Sequence, residues 1–155
     1  LLESGLDVDQ SDPAMHVTPL HVASVLGYCD VIVWLIEHGA NVHALDYQNK
    51  SALHLASIMG RVDVTRLLIS KGVCIYTKNG DGATPLHHAS LLGFTETVRM
   101  LIRHGSDMQA LDDLDKTVLH YACIGGSVEI ARLLVSNGVD IYARDVGDQS
   151  AKDVA

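Results

Sequence analysis

The sequence predicts an all-α solenoid in which short helix-turn-helix units are stacked side by side. Two observations carry this prediction. The same residue types recur every 33 residues, and each period contains two short apolar segments that end at glycines. The chain has 155 residues, of which 48% are hydrophobic, and this is enough to bury a continuous core. We therefore expect most of the chain to be folded.

A series of hydroxyl residues predicts where the first helix of each unit begins. A Ser or Thr side chain can cap a helix by accepting a backbone N–H, and Pro at the next position suits the first helical turn, as at Pro19 and Pro85. The caps recur at 33-residue intervals, at Thr18, Ser51, Thr84, Thr117 and Ser150.

Two series of glycines predict where the helices end, because glycine readily adopts the left-handed conformation that closes a helix. The first series is Gly27, Gly60, Gly93 and Gly126, and the second is Gly39, Gly72, Gly105 and Gly138. Each second helix carries an apolar stripe, such as Val98, Leu101 and Ile102, that only a neighbouring unit can bury. We place Trp34 on this apolar face, in the core.

The second helices also carry a charge pattern. An acid near each helix start precedes an Arg by three residues, which favours an ion pair on a solvated outer face. The predicted pairs are Asp63 with Arg66, Glu96 with Arg99, and Glu129 with Arg132.

The segments between units are about twelve residues long and rich in turn formers. They are too short for a further helix, so we predict hairpin-like turns that project from the stack. A turn glycine two places before the cap is present only at Gly82. The residues in its place elsewhere are His16, Asn49, Asp115 and Asp148, and the first turn is one residue longer than the others.

The unit resembles the ankyrin repeat. Residues 18–23 read Thr-Pro-Leu-His-Val-Ala and residues 84–89 read Thr-Pro-Leu-His-His-Ala, which are similar to the Thr-Pro-Leu-His-x-Ala motif of that family, and the period of 33 also matches. The resemblance implies a single ankyrin-repeat domain over 1–155. Its predicted divisions are a partial repeat at 1–17, complete repeats at 18–50, 51–83, 84–116 and 117–149, and the start of another at 150–155.

Four periodic histidines suggest metal binding at first sight: His21, His54, His87 and His120. Packed helices lie roughly 8–10 Å apart, whereas zinc ligands lie about 2 Å from the ion, so side chains that repeat at the helix spacing cannot share one ion. The family resemblance implies instead that these histidines form hydrogen bonds within the turn and helix framework. We predict no metal site and no cofactor.

Composition argues against several functional classes. A net charge of −8 and only 5% aromatic residues disfavour nucleic acid as a partner, and no apolar run approaches the ~18 residues of a membrane span, so we expect no membrane insertion. Ser and His lie close together only as a repeated cap, which predicts no catalytic site. Cys29, Cys74 and Cys123 lack metal or redox spacing, so we expect an intracellular location, cytoplasmic or nuclear.

The resemblance also implies where a partner binds: on the concave side, at the turn tips and the exposed face of the first helices. The tip residues vary between repeats, and the candidates are Tyr47, Gln48, Lys50, Asp81, Ala83, Asp113, Leu114 and Lys116. An apolar stripe beside them comprises Val25, Leu26, Ile58, Met59, Leu91, Leu92 and Ile124. Alternatively, Val25, Ile58, Leu91 and Ile124 pack inward. His88 and Tyr121 are candidate polar contacts at the edge of the groove.

These features predict a protein–protein interaction module that binds a protein or peptide, has no catalytic activity and is monomeric alone. One alternative is a regulatory or targeting segment of a larger enzyme, channel or effector. Another is a structural role in which the groove or an end of the stack self-associates.

Overall fold

The computed structural model describes residues 7–154, which form eight helices in four successive pairs. Residues 1–6 of the predicted partial repeat, and Ala155, lie outside the described residues. The first helices are α1 (Pro19–Leu26), α3 (Ala52–Ile58), α5 (Pro85–Leu91) and α7 (Val118–Ile124). The second helices are α2 (Cys29–Glu37), α4 (Val62–Ser70), α6 (Thr95–Arg103) and α8 (Val128–Ser136). The predicted all-α solenoid of stacked pairs is confirmed.

Reciprocal hydrogen bonds fix the start of each first helix. The hydroxyls of Ser51 and Thr117 accept the backbone N–H of the histidine three residues later at 3.3 Å. In return, Nδ1 of the histidine accepts the backbone N–H of the cap residue, and this bond is present in all four repeats at 3.1–3.2 Å. Histidine thus takes the place that Glu or Gln has in the usual capping box.

The same histidines connect each repeat to the next turn. Because Nδ1 accepts an N–H, the proton of the neutral ring lies on Nε2, which then donates. The acceptors are backbone carbonyls at 3.0–3.1 Å: Ala83 for His54, Ala110 for His87 and Gln149 for His120. His21 faces the carbonyls of Ala44 and Lys50, but its Nε2 makes no hydrogen bond among the described residues. These bonds explain why the ring recurs.

Burial favours the neutral form of three of these rings, those of His21, His54 and His87. It lowers the pKa of His54 and His87 to about 4, against an opposing contribution from the carbonyl that each ring binds, and it also lowers the pKa of His21.

A leucine ladder forms the centre of the core. Leucines at equivalent positions of successive helices are all buried: Leu20, Leu53, Leu86 and Leu119 in the first helices, and Leu35, Leu68, Leu101 and Leu134 in the second. Each fully buried leucine contributes roughly 1.5–3 kcal/mol to stability. The core is therefore shared between neighbouring repeats.

Trp34 lies outside this core, so its predicted position is wrong. Its side chain is 44% exposed, whereas Met100, the equivalent residue of the third repeat, is only 9% exposed. The equivalent Leu67 and Leu133 are half-buried, and each of their helices follows an earlier second helix. No helix precedes α1 and α2 within the described residues. The Trp34 ring stacks instead on His38, with 4.1 Å between ring centroids.

One of the predicted ion pairs is also wrong. Arg66 lies 4.0 Å from Asp63, and Arg99 lies 3.7 Å from Glu96, as expected. Glu129, however, pairs at 3.1 Å with Arg99 of the preceding repeat, because the second helices lie side by side and a long side chain reaches across. These pairs are solvent-exposed and contribute up to about 1 kcal/mol each.

The first helices contact one another more extensively than the second helices do. Because one row packs more closely than the other, the stack curves with the first helices on its inner side. The concave side therefore presents the first helices and the turns that precede them.

Candidate functional site

An Asp or Asn residue at the same position of successive turns holds the tip in shape. The sequence pattern did not lead us to these residues, which we call the Asx series. Oδ1 of each residue accepts two backbone N–H groups of its own turn; in the second turn, Asp46 binds Gln48 and Lys50 at 2.8 Å each. All four residues of the series are buried, at Asp46, Asn79, Asp112 and Asp145. Their 33-residue spacing is the signal that could have found them.

The residues that replace the turn glycine keep its conformation. Gly82 has φ of 77°, and the four replacements have φ of 54–60°. Asn and Asp tolerate the left-handed region better than other side chains, and His is also enriched there. The turn shape is therefore retained at His16, Asn49, Asp115 and Asp148.

Neighbouring tips are joined through their main chains. In each repeat a backbone N–H donates to a carbonyl of the preceding tip at 2.7–3.0 Å. The pairs are Tyr47 to Met15, Gly80 to Gln48, Asp113 to Asp81, and Val146 to Leu114. The tips thus form a continuous wall along one side of the concave groove.

Two side chains connect this wall to the first helices. The hydroxyl of Tyr121 donates to Oδ2 of Asp112 at 2.8 Å, and Nε2 of His88 lies 3.3 Å from Nδ2 of Asn79. Burial and the bond to Asp112 raise the pKa of Tyr121, and burial lowers the pKa of His88. His88 therefore accepts as a neutral ring. The two predicted polar contacts are thus already engaged with their own turns.

A first recess lies between the first two tips and helix α1. It has a volume of 370 Å³ and is mainly apolar. Its polar margin includes Lys50, whose Nζ donates to Oε1 of Gln48 at 2.8 Å. The apolar lining comprises Met15, Val17, Val22, Val25, Leu26 and Leu55, with the exposed Tyr47 ring beside it. We call this the N-terminal recess.

A second recess lies between the third and fourth tips and helices α5 and α7. It has a volume of 480 Å³ and is lined by Gly80, Asp81, Leu91, Asp112, Asp113, Leu114, Lys116, Tyr121 and Ile124. We call it the C-terminal recess. Helix α7 comes very close to α5 here: a Cβ on Gly125 would lie 1.9 Å from the carbonyl oxygen of Leu91. Only glycine allows this approach.

The predicted apolar stripe divides into two sets. Four of its side chains are 43–47% exposed, at Leu26, Met59, Leu92 and Ile124. Val25, Ile58 and Leu91 are half-buried. Four residues of the stripe line the recesses: Val25 and Leu26 line the N-terminal recess, and Leu91 and Ile124 line the C-terminal recess. Ala83 is buried, and its carbonyl accepts the hydrogen bond from His54.

The Ser and Thr hydroxyls beside the periodic histidines belong to the helix framework. The hydroxyls nearest the periodic histidines are buried helix caps, at Thr18, Ser51, Thr84 and Thr117, so a substrate cannot reach them. Within residues 7–154, no group of three His, Cys, Asp or Glu side chains is arranged to hold a metal ion. What remains accessible is an apolar groove with a polar wall.

The comparisons with known proteins agree with this architecture. A family model described as ankyrin repeats, in three copies, matches residues 1–79 and again residues 73–145. Members of this family generally act as protein–protein interaction modules and are typically not catalytic. No curated protein matches the chain significantly. None of the helices described in residues 7–154 is long and apolar enough to span a bilayer. The repeat model covers well over half of the sequence, and the chain belongs to the ankyrin repeat family.

Proposed function

We propose that residues 1–155 act as one ankyrin-repeat domain that binds a segment of another protein along its concave side, and that it is monomeric alone. The observation that supports this most strongly is the row of four large apolar side chains, each nearly half exposed, at Leu26, Met59, Leu92 and Ile124. Contiguous apolar patches larger than a few hundred Å² are rare on a monomer without a partner.

The framework around this row suits binding. Internal hydrogen bonds hold the backbone of the groove wall in place. They come from the periodic histidines, from the Asp and Asn residues of the turns and from the bonds between tips. A wall held in this way requires little ordering when a partner arrives, which favours affinity. The variable tip side chains then determine which partner is selected.

The partner must be in the same compartment as the domain. The state of the three cysteines is one indication of which compartment that is. None of Cys29, Cys74 and Cys123 forms a disulfide within the described residues. This supports a reducing, intracellular location, cytoplasmic or nuclear.

The test is a double variant, Leu26→Lys with Ile124→Lys. Each residue lines one recess and is 46% exposed, so charge should be tolerated by the fold but not by an apolar ligand. The matched control is Tyr76→Lys with Val128→Lys, because these side chains are 59% and 64% exposed and line neither recess.

Circular dichroism melting should show both double variants folded. Affinity capture from lysate, read by mass spectrometry, should then lose its specific partner with the groove variant and keep it with the control. Undiminished capture by a folded groove variant would contradict the proposal. Light scattering over a range of concentrations should show a monomer, and a concentration-dependent mass would contradict that part of the proposal.

A further inference from the structure

The two recesses of the groove differ in charge. In the N-terminal recess the charged group that is not buried is the half-buried Lys50, since Asp46 is buried and already binds two backbone N–H groups. The remaining lining is largely apolar. The C-terminal recess carries the exposed carboxylates of Asp81 and Asp113 against one ammonium group, that of Lys116. One end of the groove is therefore suited to an apolar group and the other to a cation.

The two carboxylates are placed together by the backbone. The N–H of Asp113 donates to the carbonyl of Asp81 at 3.0 Å, which sets the two tips side by side. Gly82 lies at their contact, and a Cβ there would be 2.3 Å from Oδ1 of Asp113. The missing side chain allows the Asp113 carboxylate to lie over the neighbouring tip, next to Asp81.

These carboxylates retain free acceptor sites for a ligand, since Asp81 accepts one long side-chain hydrogen bond, from Nδ2 of Asn79 at 3.5 Å. Asp112, the third acid of the recess, accepts hydrogen bonds from two backbone N–H groups and from Tyr121, so it is fully engaged. Within residues 7–154, neither Asp81 nor Asp113 pairs with a Lys or Arg. Leu91, Leu114 and Ile124 supply apolar surface nearby that can cover the aliphatic stem of a long cationic side chain.

The separation of the recesses sets the spacing of a ligand. They lie two repeats apart, and packed helices are roughly 8–10 Å apart, which gives about 16–20 Å. An extended chain rises about 3.3 Å per residue, so this distance corresponds to five or six residues. The net charge of −8 would also attract a cationic segment over longer range.

We propose that the groove selects an extended protein segment that carries a large apolar side chain for the N-terminal recess and, five or six residues away, an Arg or Lys for Asp81 and Asp113. This inference rests on the proposed function. It adds the chemistry and the spacing of the segment that the groove binds.

The experiment uses a displayed library of random twelve-residue peptides selected against the purified 155-residue chain. The selected peptides should be enriched in a large apolar residue with Arg or Lys five or six positions away. The affinity of the tightest peptide should fall about five- to tenfold with Asp81→Asn and Asp113→Asn together. The control pair, Asp30→Asn with Asp63→Asn on the second helices, should change it less than twofold.

A second measurement changes the peptide as well as the protein. Replacing the basic residue of the peptide by Ala should weaken binding to the wild-type protein, but not to the Asp81→Asn, Asp113→Asn variant, since the two changes remove the same contact. Raising the salt concentration should weaken the wild-type complex more than the variant complex.

The outcomes separate the two proposals. Peptides without the basic residue, or peptides indifferent to both carboxylates, would overturn this inference. If those peptides still lose binding to the Leu26→Lys, Ile124→Lys variant, the proposed function stands. Failure to select any peptide that binds the groove would overturn both.

Discussion

The first and second tips have the same backbone framework as the third and fourth tips, but the two pairs are attached to the helices differently. In the third and fourth turns, His88 and Tyr121 bond to the Asx residue of the tip. The equivalent residues of the first two repeats, Val22 and Leu55, are apolar and cannot do so. One variable position in each repeat therefore decides how the tip is held.

This difference shows how a repeat array can vary its surface without altering its core. The leucine ladder, the caps and the tip-to-tip bonds are the same in both halves of the molecule. The side chains that face the groove differ between the halves. The following predictions test whether the two halves share their stability and differ only at the groove.

The largest effect is expected in the shared core. Leu68→Ala in the second repeat and Leu101→Ala in the third should each lower the free energy of unfolding by about 2–5 kcal/mol, since both side chains are fully buried. Chemical denaturation measures this. The two losses should agree within about 1 kcal/mol; a larger disagreement would show that the halves differ in their frame as well as their groove.

Acid should also destabilise the two halves alike, through His54 and His87. Their pKa falls from 6.5 in the unfolded chain to about 4 in the folded protein, so only the unfolded chain takes up protons between these values. The stabilisation is therefore complete above pH 6.5 and is lost as the pH falls towards 4, by roughly 3 kcal/mol for each ring. Denaturation at pH 7 and pH 5 should show this decline. Equal stability at both values would contradict it.

A smaller effect should appear only in the C-terminal half. Gly125→Ala places a methyl group against the carbonyl of Leu91, so α7 must move away from α5, at a cost of about 1–3 kcal/mol. Met59→Ala and Leu92→Ala, at the equivalent positions, should cost less than about 1 kcal/mol because these side chains are nearly half exposed. If Gly125→Ala is neutral in denaturation, the close approach is not a constraint.

The smallest effect concerns the anchored tip. Tyr121→Phe removes the hydroxyl that binds Asp112 and should cost about 1–2 kcal/mol, because the acceptor is a carboxylate. Native-state hydrogen exchange should show faster exchange at Leu114 and Lys116, whose N–H groups bind the same carboxylate. Exchange at Gln48 and Lys50, in the unanchored second tip, should not change. Equal acceleration in both tips would remove the distinction between the halves.

The repeat frame could be predicted from the sequence because the positions of caps, glycines and leucines are set by local helix geometry and recur at a fixed interval. Trp34 and Glu129 could not be placed in this way. The burial of Trp34 depends on whether a helix lies before it, and the partner of Glu129 depends on a neighbouring helix rather than on its own. The 33-residue period predicts neither the burial of Trp34 nor the ion-pair partner of Glu129.

The groove was only partly predictable, for a related reason. The sequence pointed to the apolar stripe, but the share of each side chain left open depends on how closely successive helices pack, as Gly125 and Ile124 show. The Asx series was missed because it contains one Asn and three Asp, so no single residue type recurs. What the four residues have in common is that each accepts hydrogen bonds through its Oδ1 atom. A search by hydrogen-bonding capacity would have found them.

The longer first turn has a consequence for engineering. The turn starts at Asp12, whose Oδ1 accepts the N–H groups of Ala14 and Met15, and it carries one extra residue before Thr18. The Met15 carbonyl nevertheless accepts the N–H of Tyr47, and His16 has the left-handed backbone. The insertion is therefore absorbed inside the loop, without a shift in the register of the stack. Tips of this kind are natural places to graft foreign sequences, since the added length costs little loop entropy and leaves the junctions unchanged.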